Sequence, residues 1–167
     1  MSFINRLSLG TIAVFLLGTA LHFMVDWLGS PMAAGLFYPV NESVAEHLKM
    51  LSTAAVLWMA ADFFIAGRAA RVRFFSARAL SLPAALLLIL TVHYLLKGAF
   101  GFHHVLVDIV SFFAACLLYQ YWAMKLEQNV TLKLPPNAVG IAILAAIVAL
   151  LAVFTVYPPG VPMYRVE

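Results

Sequence analysis

Charge is what this chain has least of. Lys, Arg, Asp and Glu together make up 10% of its 167 residues, against about 25% in ordinary soluble domains. That scarcity excludes a conventional water-soluble domain. Cysteine is almost missing: Cys116 stands alone in an apolar run, so no internal disulfide and no Cys-x-x-Cys chemistry is available. No internal repeat or low-complexity tract interrupts the chain, and one domain is expected. Acidic residues are fewer than basic ones, giving a net charge of +3 and a pI of about 9.2. The basic residues fall between hydrophobic segments, where they orient a chain, and no nucleic-acid site follows from them.

What the sequence has in abundance is apolar surface. Hydrophobic residues make up 65% and mean hydropathy is +1.00, the composition of an all-α, polytopic membrane helix bundle. Five apolar runs are each near the ~20 residues that a bilayer core requires: residues 7–28, 44–66, 80–96, 104–124 and 139–157. Backbone polar groups in lipid must be satisfied within the segment, so each run is expected to be a helix. The first leads into Trp27 rather than a small-residue cleavage site and reads as a retained helix. Pro83 is expected in the first turn of its helix, where a missing N–H costs little.

Orientation follows from Lys and Arg. Arg6, Arg68, Arg71, Arg73, Arg78, Lys125 and Lys133 fall on one side, and only Lys49, Lys97 and Arg165 on the other. The richer side is expected to be cytoplasmic, with the amino terminus inside and the carboxyl terminus outside.

This topology gathers the ionisable residues. His22 and Asp26 end the first run, Glu42, Glu46, His47 and Lys49 begin the second, His93 and Lys97 close the third, and His103, His104 and Asp108 open the fourth. All five histidines thus fall near the extracytoplasmic face. His22 and Asp26, Glu42 and Glu46, His93 and Lys97, and His104 and Asp108 are each spaced i, i+4, which puts the members of a pair on one helix face. Ser111 extends the last face by another turn. Faces from several helices that aim imidazoles and carboxylates inward are how metal sites are built in helical bundles. Zinc or another divalent metal fits these residue types, with His22, His93 and His104 as ligands and Asp26, Asp108 or His47 as further ligands or orienting groups. Glu46 is the expected general base, with Glu42 and Lys49 beside it.

Structural readings stand next to these. Ser43 and Glu46 match a capping box, and Asn41 can also cap. Lys49 and Lys97 can snorkel to the head groups or bind an anion. His103 points about 100° away from His104 on an ideal helix and reads as an interfacial group. Asp62, deep in the second run, is expected to pair with an arginine such as Arg68 or to mark a separate polar path.

The string Leu21-His22-Phe23, then Asp26-Trp27, then Phe37-Tyr38-Pro39-Val40-Asn41-Glu42-Ser43-Val44-Ala45-Glu46-His47-Leu48-Lys49, with the tail Tyr157-Pro158-Pro159-Gly160-Val161-Pro162, resembles an uncharacterised family of small bacterial polytopic membrane proteins. Its signature is Pro-Val-Asn-Glu-Ser-Val-x-Glu-His-x-Lys. The resemblance implies a multi-pass protein of the bacterial inner membrane and supplies no activity. In residue types alone, the chain is also similar to membrane hydrolases of the alkaline ceramidase and adiponectin receptor type, although no His-x-x-x-His pair is present.

Three functions compete. One is a metal-dependent intramembrane hydrolase acting on a lipid or lipid-linked substrate that enters sideways. Another is a transporter or channel whose path continues inward through Asp62. The last is a haem-binding electron carrier with paired histidines. The expected partner is the lipid bilayer, and a homo-oligomer is compatible with the sequence.

Overall fold

The computed structural model describes residues 1–28, 34–101 and 104–165. Among these, all regular structure is helical: α1 (Phe3–His22), α2 (Met24–Leu28), α3 (Val44–Ile65), α4 (Arg68–Arg71), α5 (Phe74–Phe100), α6 (Val105–Gln128) and α7 (Asn137–Val156), with short 3-10 turns at Ala34–Leu36 and Pro162–Tyr164. Helices α1, α3, α5, α6 and α7 are long and apolar enough to cross a membrane.

α3 is central. In its most apolar stretch 61% of residues are buried, against 17% for α7 at the edge. α1 and α7 pack on α3, α6 packs on α1 and α5, and α5 packs on α7. Successive long helices run antiparallel, so two ends of the bundle collect different elements. At one end lie the end of α1, the start of α3, the end of α5 and the start of α6: the histidine end. At the other lie the start of α1, the end of α3, the start of α5 and the end of α6: the arginine end.

Several helix ends differ from the sequence expectation. Ser2 caps α1 by accepting from the Asn5 N–H at 3.2 Å, so the helix begins at Phe3 and includes Arg6. The chain breaks at Phe23, and α2 is a separate short helix. Residues 74–79 join α5, so Arg78 belongs to a helix rather than to a loop, and Pro83 is the tenth residue of that helix rather than part of its first turn. Asn137 at the start of α7 helps α5 to begin, because its Oδ1 accepts from the Phe75 and Ser76 N–H groups. Both N–H groups lie in the first turn of α5, where no intrahelical acceptor exists. At Gly140 an added Cβ would stand 2.5–2.7 Å from the α5 backbone at Phe75 and Ser76. Only glycine permits that approach of α7 to α5. α5 stops at Gly101, whose φ of 58° is left-handed and whose N–H bonds back to Leu96 and Lys97 carbonyls.

The capping box does not form. Ser43 is the N-cap of α3, but its hydroxyl makes no cap bond, and its own N–H donates to Asn41 Oδ1 at 2.9 Å. Asn41 holds the helix entrance, while the Glu46 carboxylate has other partners. His103 and the Arg68 side chain lie outside the described residues.

Candidate metal centre

At the histidine end, His22 is the last residue of α1 and His47 lies in the first turns of α3. Glu42 precedes α3 and stands between them. Its Oε1 is 4.0 Å from His22 Nε2, its Oε2 is 3.8 Å from His47 Nε2, and the two imidazole centroids are 5.7 Å apart. One potential ligand atom from each of the three residues lies within 4.8 Å of the others. The orientation of one imidazole follows from its neighbour. His47 Nδ1 is 3.0 Å from the Ser43 carbonyl oxygen, which can only accept, so Nδ1 carries the proton. Nε2 faces Glu42 and His22, and a bond of this kind at the other ring nitrogen is what orients a histidine for a metal.

Beside this trio is a cleft of about 60 Å³ lined by Glu42, His47, His93, Asp108 and Ser111, with Val44, Ile89 and Phe112 as its apolar walls. Side chains from α3, α5 and α6 thus line one cleft, and of the expected ligands it includes His47, His93 and Asp108. Ser111 donates to the Asp108 carbonyl at 2.9 Å.

Other expected members stand elsewhere. Asp26 is exposed, and because the helix breaks at Phe23 it does not share a face with His22. His104 is the N-cap of α6, in extended backbone, and its Nδ1 accepts from the Leu106 N–H at 3.1 Å. It does not line the cleft, and the i, i+4 relation to Asp108 fails because it lies outside the helix. Lys97 is exposed near the end of α5.

Glu46 faces away from Glu42, since Glu42 is not helical. Its carboxylate pairs with Lys49 Nζ at 2.5 Å, accepts from the Val40 N–H at 3.0 Å, and accepts from the Thr155 hydroxyl of α7 at 2.9 Å. Lys49 also donates to the Gly35 carbonyl at 2.7 Å and to Thr155 Oγ1 at 2.8 Å. Both side chains are almost fully buried, at 2% and 3% exposure for Lys49 and Glu46. Lys49 therefore does not snorkel.

A second cluster closes the arginine end. Arg6 Nε donates to Asp62 at 2.7 Å, and Arg6 Nη1 donates to Glu127 at 2.6 Å. Arg78 donates to the remaining oxygens of Asp62 and Glu127, and its guanidinium lies 3.3 Å from the Phe74 ring centroid. The result is an alternating Arg–Asp–Arg–Glu quartet from α1, α3, α5 and α6. Gln120 adds a donor to Asp62 at 3.4 Å. Asp62 pairs with arginines as expected, and the two described partners are Arg6 and Arg78. Glu127, Arg6, Arg78 and Thr155 were not assigned to any site on sequence. The available signal was that Asp62 and Glu127 are the two acidic residues falling on the arginine-rich side.

A model described as a family of unknown function (DUF6512) matches residues 4–167, and the chain belongs to that family. No curated protein and no solved structure matches it.

Proposed function

We propose that this protein binds a divalent metal through His22, Glu42 and His47 and uses it to hydrolyse a lipid or lipid-linked substrate at the membrane surface. The observation that carries the reading is the trio of ligand atoms within 4.8 Å, opening on a cleft that holds two further ionisable side chains, His93 and Asp108. Two histidines and one glutamate with an open fourth position are a ligand set of catalytic zinc, which brings the pKa of bound water to about 7. Asp108, which lines the cleft, would be the group to take a proton from water as its oxygen bonds to the substrate's carbonyl or phosphoryl centre, and to return that proton to the departing oxygen. Glu46 is a poorer candidate for the base, because Lys49, Thr155 and the Val40 N–H all bond to its carboxylate. The excess of Lys and Arg at the other end supports an extracytoplasmic location for the site, and the sequence resemblance supports a bacterial inner membrane.

Transport is the weaker reading, since Asp62, on which an inward path would depend, is closed between two arginines. Glu42 standing between the imidazoles suits a bare cation better than haem. Elemental analysis of detergent-purified protein tests the reading. About one zinc or other divalent ion per chain is expected in the wild type, with loss in His22→Ala and Glu42→Ala. Wild-type protein prepared without chelator and carrying no stoichiometric metal would sink it.

A further inference from the structure

We infer that the buried Glu46–Lys49 pair is a positioning device that sets where Glu42 stands, and so tunes the metal site; this rests on the metal reading above. Glu42 has little to hold it in place. Its side chain is 69% exposed, and it lies in the non-helical stretch before α3. A carboxylate on such a segment costs conformational entropy each time it is recruited as a ligand.

The ion pair supplies the missing constraint at two backbone points. Glu46 accepts from the Val40 N–H, two residues before Glu42, and Lys49 donates to the Gly35 carbonyl. Between these points Val40 packs so closely on Gly35 that a Cβ there would stand 2.6 Å from Val40 Cγ1. Thr155 of α7 bridges the pair from the other side. All three Lys49 protons have acceptors: Glu46, Gly35 and Thr155. Both Glu46 oxygens are engaged too, Oε2 by Lys49 and the Val40 N–H and Oε1 by Thr155. A buried ion pair is seldom better for stability than apolar residues of the same volume. Its effect here falls on the placement of residues 35–42.

The test uses full-length protein in detergent and Co²⁺ as the probe ion. Glu46→Gln/Lys49→Met removes both charges together, leaving no unpaired buried ion, and helicity by circular dichroism is expected to stay at the wild-type level. Exchange of the Val40 amide hydrogen is expected to accelerate in the double variant, with or without metal. Co²⁺ affinity is expected to fall about ten-fold or more, the lower range for groups that orient metal ligands. Its visible spectrum, which follows ligand number and geometry, is expected to shift toward that of Glu42→Ala. A merely structural role would leave that spectrum unchanged. Wild-type affinity and spectrum in a folded double variant would overturn the positioning role and leave the metal reading intact. Wild-type protein that takes up no Co²⁺ would overturn the metal reading, and unchanged Val40 exchange would independently overturn the clasp. If the double variant does not fold, Thr155→Val is read in its place. The same shifts at smaller amplitude support the role, and wild-type values overturn it.

Discussion

The two ends of the bundle gather the same kinds of residue and treat them in opposite ways. At the arginine end, two guanidinium groups and two carboxylates from four helices meet at hydrogen-bond distance, and none of the four side chains is more than 9% exposed. Charge there is balanced, and each carboxylate accepts from both guanidinium groups, with Arg78 Nε alone of the quartet's nitrogens and oxygens buried without a partner. At the histidine end, Glu42 stands 3.8 and 4.0 Å from its imidazole neighbours, beyond the range of a strong hydrogen bond, and the cluster is open to its surroundings. Ionisable groups that complete each other are architecture. Groups held near one another without closing their mutual contacts keep capacity for a ligand. Function is therefore sought at the looser end, although the tighter end contains more charge.

The largest test of this contrast is Arg78→Met. It leaves Asp62 and Glu127 to share Arg6, placing a net negative charge inside the bundle, and breaking a buried pair in this way costs about 3–5 kcal/mol. Chemical unfolding in detergent should show that loss. Arg78→Met/Asp62→Leu leaves a neutral Arg6–Glu127 pair and should recover most of it. A single variant that is as stable as wild type would mean that the quartet is not structural. Next in size is Gly10→Ala. Its methyl would fall 2.4 Å from the Gln120 side chain, which donates to Asp62. Overpacking of this kind costs about 1–3 kcal/mol, and the same unfolding assay measures it.

How each end was legible in sequence differs as well. The five spans and the histidine-rich layer could be read from hydropathy and topology, because the bilayer fixes helix length and alternation puts successive loops on opposite sides. The pairings could not. Spacing of i, i+4 implies a shared face only where the helix is continuous, and three of the four expected pairs sit across helix boundaries: Phe23 breaks His22 from Asp26, Glu42 precedes the helix that holds Glu46, and His104 is a cap rather than a helical residue. On sequence Arg6 and Arg78 read as charges outside the apolar runs, because an arginine beside an apolar run looks like its end. Only the packing of four helices shows that Asp62 and Glu127 draw both arginines inside.

Glu42→Ala sharpens the comparison from the other side. The residue is exposed and forms no close hydrogen bond with either histidine, so stability should change by no more than about 0.5 kcal/mol. Metal content should nevertheless fall. A variant that loses stability as Arg78→Met does, while keeping its metal, would reverse the roles assigned to the two ends.

The smallest effect concerns the tail that folds back beside the Glu46–Lys49 pair. Tyr164 packs edge-on against Phe154 with ring centroids 5.7 Å apart. Burial, and then the nearby Glu46 carboxylate, push its hydroxyl above the usual tyrosine value, which is about 10. A raised folded-state pKa means that the neutral phenol is favoured in place. Its contribution is fully present below pH ~10 and is lost as pH rises through the folded value. Tail docking should therefore loosen only at strongly alkaline pH, read as faster exchange of the Arg165 amide hydrogen, which is bonded to the Pro162 carbonyl, than its ordinary base catalysis predicts. Tyr164→Phe should remove that excess. If the excess persists in the phenylalanine variant, the tail responds to another group, and the influence of the buried pair stops at α7.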